Sequence, residues 1–270
     1  MRKNKRSFAI GVFDSGLGGL TVVKELIRQL PQENIVYFGD TARVPYGTKS
    51  KETIIRFSRE NTEVLLKHHV KLIVVACNSC SSYAMPALKT NFDLPIIGVL
   101  VPGARKAVAA TRSGKIGVIA TSATIASGRY PEAIKKFRKS AQVTSQACPM
   151  FVPLVEEGWF NKGIALQVAN NYLGPLKKSR VDTMILGCTH YPLLKKTLKK
   201  AMGEKVTLID SAKEVAAEVG GILEKLGMRN PRRQKGKMKF LVSDKPQAFK
   251  KIAKRFLGFD IQHLVNIKGI

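Results

Sequence analysis

Short apolar runs rich in β-branched residues alternate with amphipathic stretches from one end of the 270-residue chain to the other. This alternation is typical of a mostly parallel sheet flanked by helices, because parallel strands are joined by crossover helices. The runs predicted as strands are Phe8–Phe13, Asn34–Phe38, Lys71–Ala76, Pro95–Val99, Lys115–Ile119, Gln142–Ala147, Thr183–Leu186, Val206–Ile209, Met238–Val242 and Gln262–Val265. The clearest helices between them are Leu20–Leu30, Lys51–His68 and Ala212–Leu226. The chain is therefore predicted to have an α/β fold.

An approximate internal repeat relates two halves of the chain. Ile10–Ser15 is similar to Ile116–Thr121, and Leu72–Ser79 is similar to Thr183–His190. In the second pair, each strand-like run ends in a cysteine and two polar residues. Ligands of open α/β sheets bind beyond the carboxyl ends of the strands. We therefore predict two doubly wound α/β domains related by pseudo-twofold symmetry, with both cysteines facing an active site in the cleft between the domains.

Cys77 is followed by a serine-rich segment predicted as a turn and then by a helix that begins no later than about Met85, and Cys188 is followed by a predicted helix, Pro192–Met202, whose first position suits Pro192. Both thiols are therefore expected close to the amino-terminal end of a helix. The positive end of a helix dipole favours a thiolate, and the free backbone amides there can bind a carboxylate. A single cysteine that ends a buried strand is usually a small core residue, and Cys148 is interpreted in this way. Two cysteines at matching positions of the repeat favour a catalytic role over a role in the core. The polar neighbours that can assist are Asn78, Ser79, Thr189 and His190.

The segment Cys77–Cys80 also matches a C-x-x-C pattern, which leaves two other kinds of site open. One is a thioredoxin-like redox site, although the rest of that fold's pattern is absent and Cys188 would have no role. The other is a zinc site formed by Cys77, Cys80, Cys188 and His190, although a Cys-x-His spacing is tighter than usual for zinc ligands. Four cysteines in a chain without a predicted export signal indicate reduced thiols.

Two turns supply further candidate residues. Asp14–Gly19 is a weak match to a dinucleotide-binding loop, because Thr21 stands in place of the third glycine. Asp14 is interpreted instead as a group that accepts from an ammonium or orients a thiol, with a helix N-cap as the alternative. Pro45–Gly47 is predicted to be a turn whose Tyr46 hydroxyl and backbone amides line the site, or else a turn with no role.

Two acidic residues, Glu156 and Glu157, follow an apolar run in a predicted loop that ends at Gly158. One of the two carboxylates is expected to point into the cleft. His190 follows the second cysteine closely and is therefore a candidate for an assisting acid.

The formal net charge is +27, from 46 Lys and Arg against 19 Asp and Glu, which is enough to attract any polyanion. The basic residues recur along the whole chain, and the concentrated patch Met228–Lys239 lacks the interleaved aromatics of a single-strand platform. We therefore expect non-specific polyanion binding rather than a specific nucleic-acid site. No apolar run approaches the length of a membrane span, so we predict a cytoplasmic protein without a membrane partner.

Five ordered motifs resemble those of the glutamate racemases. They are Asp14–Gly19, Pro45–Gly47, Ala76–Ser79, Phe151–Gly158 and Gly187–Leu194. The similarity runs from Ile10 to Asp210, and His190 favours glutamate as the substrate because the related aspartate racemases usually carry a glutamate at that position. The chain departs from the family in Ser79, which replaces a threonine but keeps its hydroxyl, and in the additional Cys80. The glycines usual before Thr121 and Thr124 are alanines here.

The resemblance implies a racemase that uses no cofactor and no metal and that interconverts L- and D-glutamate for peptidoglycan synthesis in a bacterial cytoplasm. One cysteine thiolate removes the α-proton while the other cysteine delivers a proton to the opposite face; the first acts on D-glutamate and the second on L-glutamate. The residues implied in catalysis are Cys77, Cys188, Asp14, Glu156 and His190. Those implied in substrate binding are Asp14, Ser15, Pro45, Tyr46, Gly47, Asn78, Ser79, Thr121, Thr124, Thr189 and His190.

The family's fold also implies how the chain divides. Its C-terminal segment returns to complete the first domain, so we predict one α/β domain from residues 1–98 plus 210–270 and a second from residues 99–209. We expect the protein to form a homodimer.

Overall fold

The computed structural model describes residues 5–267. Its strands are β1 (Ala9–Asp14), β2 (Ile35–Gly39), β3 (Val70–Val75), β4 (Ile96–Gly98), β5 (Lys115–Ala120), β6 (Gln142–Ala147), β7 (Thr183–Gly187), β8 (Thr207–Ile209), β9 (Met238–Val242) and β10 (Leu264–Asn266). Its α-helices are α1 (Leu20–Gln29), α2 (Lys51–Leu66), α3 (Asn78–Tyr83), α4 (Met85–Asn91), α5 (Leu100–Ala110), α6 (Ser122–Ala126), α7 (Arg129–Phe137), α8 (Phe151–Glu156), α9 (Gly163–Lys178), α10 (Lys195–Met202), α11 (Ser211–Lys225) and α12 (Pro246–Leu257). Short 3₁₀ helices form at Lys5–Ser7, Tyr46–Thr48 and Tyr191–Leu194.

The strands form two sheets in which every described pairing is parallel. The first sheet has the order β10-β9-β2-β1-β3-β4, and the second has the order β6-β5-β7-β8. The order β2-β1-β3-β4 in the first sheet recurs as β6-β5-β7-β8 in the second, as the internal repeat predicts. Each predicted strand is present to within about two residues at its ends. The α/β fold is therefore confirmed.

The chain leaves the first sheet after β4 and returns to it after β8. Helix α11 follows β8 and packs against α1 and α5 before β9 and β10 extend the first sheet. The order of the strands is thus compatible with the division at 98/99 and 209/210, which stays a prediction. The extreme ends of the first predicted domain, residues 1–4 and 268–270, lie outside the described residues.

The central strands are buried on both faces, as expected for parallel strands covered by helices. Every residue of β1, β3 and β7 is buried. One hydrophobic cluster runs continuously from Val12 in β1 to Leu186 in β7, so the two sheets share part of their core. This shared core holds the carboxyl ends of the central strands of the two sheets against each other.

Two local predictions were wrong, and a third was correct in position but not in the type of helix at its start. The serine-rich segment after Cys77 is not a turn but helix α3, which begins at Asn78 and is stabilised where Ser81 Oγ donates to the carbonyl of Val75. The helix predicted to start at Pro192 begins as a 3₁₀ turn and becomes α-helical only at Lys195. The segment that carries Glu156 is the last turn of α8 rather than a loop.

Candidate active site

A cavity of about 340 Å³ lies where the two sheets meet, at the carboxyl ends of their central strands. Most of the predicted site residues line it together. They are Ser15, Pro45, Tyr46, Gly47, Cys77, Asn78, Ser79, Thr121, Glu156, Cys188, Thr189 and His190. Asp14 and Thr124, which were also predicted, do not lie on its wall. Glu156 rather than Glu157 faces the cavity.

Cys77 connects β3 to α3 and occupies the N-cap position of that helix. Its side chain is buried, and its Sγ lies 3.8 Å from the hydroxyl of Ser15. A hydrogen bond from the Cys80 thiol lowers the pKa of Cys77 against the opposing effect of burial, and the backbone amide of Cys80 contributes in the same direction. These donors favour the thiolate form of Cys77.

Cys80 lies one helical turn after Cys77 and is completely buried. Burial raises the pKa of Cys80 well above its ordinary value, and its neighbour Cys77 raises it further. Cys80 is therefore a neutral thiol that donates a hydrogen bond. It is not part of the cavity wall.

Cys188 follows β7 on the other side of the cavity, close to an imidazole. Its Sγ lies 3.8 Å from Nδ1 of His190, and Nε2 of the same ring lies 3.0 Å from a carboxylate oxygen of Glu156. Burial alone would lower the pKa of His190, but the hydrogen bonds to Cys188 and Glu156 raise that pKa to about 10. His190 is therefore an imidazolium at neutral pH, with one N–H directed at each partner.

Asp14 is fully buried behind the cavity, where it joins the two halves of the site. Its carboxylate accepts hydrogen bonds from the amide of Gly16 at 3.1 Å and from the hydroxyl of Thr189 at 3.4 Å. Burial raises the pKa of Asp14, while the charge on His190 lowers it. In this geometry Asp14 holds the loop before α1 against the segment after β7, instead of reaching into the cavity.

Three hydroxyls form a cluster that joins helix α3, which follows the first sheet's β3, to the start of helix α6, which follows the second sheet's β5. Ser79 Oγ lies 3.0 Å from Thr121 Oγ1 and 3.2 Å from Thr124 Oγ1, and the two threonine hydroxyls are 3.1 Å apart. Thr121 is on the cavity wall and Thr124 lies behind it. Ser79 thus takes part in a polar contact between the two halves.

The turn around Tyr46 forms one wall of the cavity, and the hydroxyl of Tyr46 has partners within the protein. It donates to a carboxylate oxygen of Asp40 and accepts from the side-chain amide of Asn61 at 3.2 Å. A Cβ at Gly47 would lie 2.7 Å from Cβ of Thr121, so only glycine permits this close approach. Backbone and ring atoms of this turn therefore shape the cavity.

Several residues of the wall were missed in the sequence. They are Val44, Thr48, Pro149, Val152, Pro153 and Gly187. Val152 and Pro153 belong to the apolar run that precedes Glu156, and the helical spacing of that run was the available signal. All four cysteines are free thiols, and within residues 5–267 no group of three or more His, Cys, Asp or Glu side chains is placed to hold a metal ion, so the four candidate zinc ligands are not brought together.

The chain is similar to known racemases in sequence and in structure. A family model for Asp/Glu/hydantoin racemase matches residues 10–219. The glutamate racemase of Geobacter metallireducens is 51% identical over 250 residues, which are 93% of each chain. A crystal structure of a glutamate racemase isoform from Bacillus anthracis has a TM-score of 0.93 and 42% identity and covers 97% of this chain and 98% of its own.

A second solved structure contains an amino acid. The glutamate racemase of Francisella tularensis in complex with D-glutamate has a TM-score of 0.91 and 37% identity, over 97% of this chain and 98% of its own. The similarity extends over nearly the whole chain in sequence and in structure. The chain therefore belongs to the Asp/Glu/hydantoin racemase family, and within it to the glutamate racemases, which are isomerases.

Proposed function

We propose that this chain interconverts L- and D-glutamate without a cofactor, by proton transfer between Cys77 and Cys188. The observation that carries the proposal is that both cysteines, one after β3 and one after β7, line the same cavity. Two bases on different walls can reach opposite faces of one α-carbon. The configuration then inverts without the substrate turning over.

In the direction from D- to L-glutamate, the Cys77 thiolate removes the α-proton, and the electrons of the C–H bond remain on the substrate as a carbanionic transition state. The lowered pKa of Cys77, caused first by the Cys80 thiol, prepares this thiolate. The Cys188 thiol then gives its proton to the opposite face of the carbon and becomes a thiolate. The reverse direction exchanges the two roles.

His190 and Glu156 support the second wall. The imidazolium N–H that faces Cys188 stabilises the thiolate that forms there, and Glu156 keeps the ring charged and oriented. Because all of these groups are placed before the reaction begins, they stabilise developing charge without reorganising. Asp14 supports the site indirectly, because its carboxylate accepts the hydrogen bond that holds Thr189 in place.

The cavity suits a small dicarboxylate with an ammonium group. Its wall carries backbone amides and the hydroxyls of Ser15, Ser79, Thr121 and Thr189, while Val152 and Pro153 restrict water. The net charge of +27 gives a positive potential that attracts an anionic substrate.

The physiological role that we propose is the supply of D-glutamate for peptidoglycan, by a homodimer in the cytoplasm. Among the residues that the structure describes, none of the helices is long and apolar enough to cross a membrane. The motifs shared with the glutamate racemases support the role in cell-wall synthesis.

Proton NMR in D2O tests the reaction directly. The purified, reduced protein is incubated with L-glutamate and separately with D-glutamate, while the α-proton signal and the circular dichroism are followed. We expect the α-proton signal to disappear with both enantiomers and the optical signal to decay to zero. Cys77→Ser and Cys188→Ser should each abolish racemisation, whereas Cys148→Ala, outside the cavity wall, should retain it.

Two outcomes would contradict the proposal in different ways. Exchange of aspartate without exchange of glutamate would show that the substrate is wrong and the mechanism right. Exchange of no amino acid by a folded protein would refute the mechanism with two cysteines.

The basic surface supports a second proposal, which is non-specific binding of polyanions. One surface depression is lined by four lysines and a single acidic residue: Lys195, Lys196, Lys199, Lys200 and Glu204. Retention of the Cys77→Ser/Cys188→Ser variant on a DNA column, measured against salt, tests this proposal. Binding that disappears at moderate salt is expected from charge alone, and binding that persists would indicate a specific site.

A further inference from the structure

Tyr130 is a completely buried tyrosine that touches both cysteine-bearing segments without lining the cavity. It is the second residue of α7, in the part of the chain that forms the second sheet. Its ring and hydroxyl lie among Asn78, which follows Cys77, Gly187, which precedes Cys188, and Gly103 of α5. Neither the motifs nor the proposed proton transfer gives it a role.

The hydroxyl of Tyr130 donates a buried hydrogen bond of 2.7 Å to Oδ1 of Asn78. A tyrosine hydroxyl that donates this bond selects one of the two orientations of the carboxamide, because only the oxygen end accepts. The amide end, Nδ2, is thereby left for other partners. Asn78 is one of the residues that line the cavity, so these partners include a ligand bound there.

The ring of Tyr130 also packs against the end of the strand that precedes the other cysteine, together with Ile119 and Ala120 of β5. A Cβ at Gly187 would lie 3.1 Å from Cε2 of Tyr130, and Gly187 is the residue directly before Cys188. A glycine at this position lets β7 end close to the ring. Tyr130 thus lies between the segment that follows β3 and the end of β7, and it contacts both.

We propose that Tyr130 is a positioning residue that turns the carboxamide of Asn78 so that its Nδ2 donates to a carboxylate of the substrate. The inference rests on the proposed racemisation of glutamate. With the opposite orientation, Oδ1 would face an anionic group, which is repulsive, and the buried hydroxyl of Tyr130 would lose the acceptor of its hydrogen bond. Burial raises the pKa of Tyr130, with Cys188 and Asp210 adding to the effect, so the hydroxyl stays a neutral donor through the physiological range.

A double-mutant cycle of Tyr130→Phe and Asn78→Ala tests this role. Tyr130→Phe keeps the ring against Gly187 and removes only the donor. We expect KM for both enantiomers to rise about three- to tenfold, the effect of losing one hydrogen bond, with kcat changed by less than about twofold. In the Asn78→Ala background, the same substitution should change KM by less than about twofold, because the partner through which it acts is gone.

The matched control is Tyr172→Phe, which removes a tyrosine hydroxyl on α9 that does not line the cavity and that accepts only a long bond of 3.4 Å from the amide of Met150, and it should leave both constants unchanged. A Tyr130→Phe effect of equal size with and without Asn78 would overturn the proposal and show a purely structural role. Wild-type protein that does not racemise glutamate would instead overturn the proposed function.

A measurement on the unmutated protein provides an independent test. In ¹⁵N-labelled protein, the side-chain amide protons of Asn78 should shift when D-glutamate is added to the resting enzyme. Absence of any shift at saturation would overturn the proposal even if Tyr130→Phe failed to fold.

Discussion

Nε2 of His190 lies 3.0 Å from a carboxylate oxygen of Glu156, with His190 almost completely buried. The other nitrogen of the ring, Nδ1, lies 3.8 Å from Sγ of Cys188. Both nitrogens therefore face acceptors, which is the arrangement that stabilises an imidazolium. The ring also makes an edge contact with Phe256, so its orientation is fixed by packing as well as by hydrogen bonds.

We expect His190 to remain charged well above neutral pH. Hydrogen bonds to Cys188 and Glu156 outweigh burial and raise its pKa from 6.5 to about 10. Because the pKa is raised on folding, the stability it contributes is fully present below pH 6.5 and is lost as pH rises to about 10. Histidine NMR titration, combined with urea unfolding at several pH values, measures both effects.

His68 is the internal control for this titration, because burial and nearby positive charges lower its pKa. The variant Glu156→Gln should lower the pKa of His190 while leaving that of His68 unchanged. A wild-type His190 that titrates at or below 6.5 would contradict the assignment of a resident imidazolium.

The neutral thiol of Cys80 is expected to control the reactivity of Cys77. Cys80→Ala removes the donor that contributes most to the lowered pKa of Cys77, whereas Cys80→Ser keeps a hydroxyl at the same place. At neutral pH, alkylation of Cys77 by iodoacetamide should be about tenfold slower in Cys80→Ala, the effect of losing a hydrogen bond to a charged group, and close to wild type in Cys80→Ser. Mass spectrometry identifies the modified cysteine.

The same pair of variants separates racemisation from thiol redox chemistry. A redox site would need Cys80 as a resolving thiol, so Cys80→Ser would be inactive. Racemisation should instead survive in Cys80→Ser and slow in Cys80→Ala. Equal alkylation rates in the two variants would show that the Cys80 thiol does not influence Cys77.

The fold was predictable because of how its strands are buried. Parallel strands covered on both faces, such as Val70–Val75, appear in the sequence as continuous apolar runs, and the repeat places two of them before cysteines. The short helix after Cys77 was missed because serines have low intrinsic helix propensity, while the buried hydroxyls of Ser79 and Ser81 gain hydrogen bonds to Thr121 and Val75 that form only in the folded chain.

The site was predictable as a set of residues but not as a set of contacts. Motifs identify Asp14 and Tyr46, but the direction of each side chain depends on partners distant in sequence, Thr189 for the first and Asn61 for the second. Tyr130 has no motif at all, because it occupies an ordinary buried position of an amphipathic helix. Only the folded structure shows that its hydroxyl meets Asn78.

Gly18 is expected to tolerate no side chain. A Cβ at this position would lie 2.2 Å from Oγ1 of Thr189 and 2.7 Å from Nδ1 of His190. Gly18→Ala should therefore displace both residues, lower kcat/KM at least about tenfold and reduce the free energy of unfolding by about 1–3 kcal/mol, as overpacking does. Steady-state kinetics and urea unfolding measure the two effects.

The matched control for this substitution is Gly221→Ala in the interior of α11, where a Cβ would meet nothing within 4 Å. It should preserve kcat/KM and stabilise the protein by about 0.5–1 kcal/mol, since alanine favours a helix. If Gly18→Ala behaved like Gly221→Ala, the close approach between the loop before α1 and the segment after β7 would be wrong.

Lys71 should contribute stability without contributing to catalysis. It is buried at the amino-terminal part of β3, and its ammonium donates to a carboxylate oxygen of Glu33 at 2.6 Å and to the carbonyls of Arg6 and Met228. Burial lowers the pKa of Lys71, and Glu33 opposes this effect. Lys71→Met leaves the carboxylate of Glu33 buried without its cation, which should cost about 3–5 kcal/mol.

Urea unfolding checks this cost against an exposed pair of the same kind. Arg105→Met, which removes a surface ion pair with Glu218, should change the free energy of unfolding by less than about 1 kcal/mol. The double variant Lys71→Met/Glu33→Leu should recover part of the loss, because no uncompensated charge stays buried. Folded Lys71→Met protein should keep the wild-type kcat and KM, because Lys71 lies at the opposite end of β3 from Cys77. A changed kcat in fully folded protein would show that this end of the strand is coupled to the cavity.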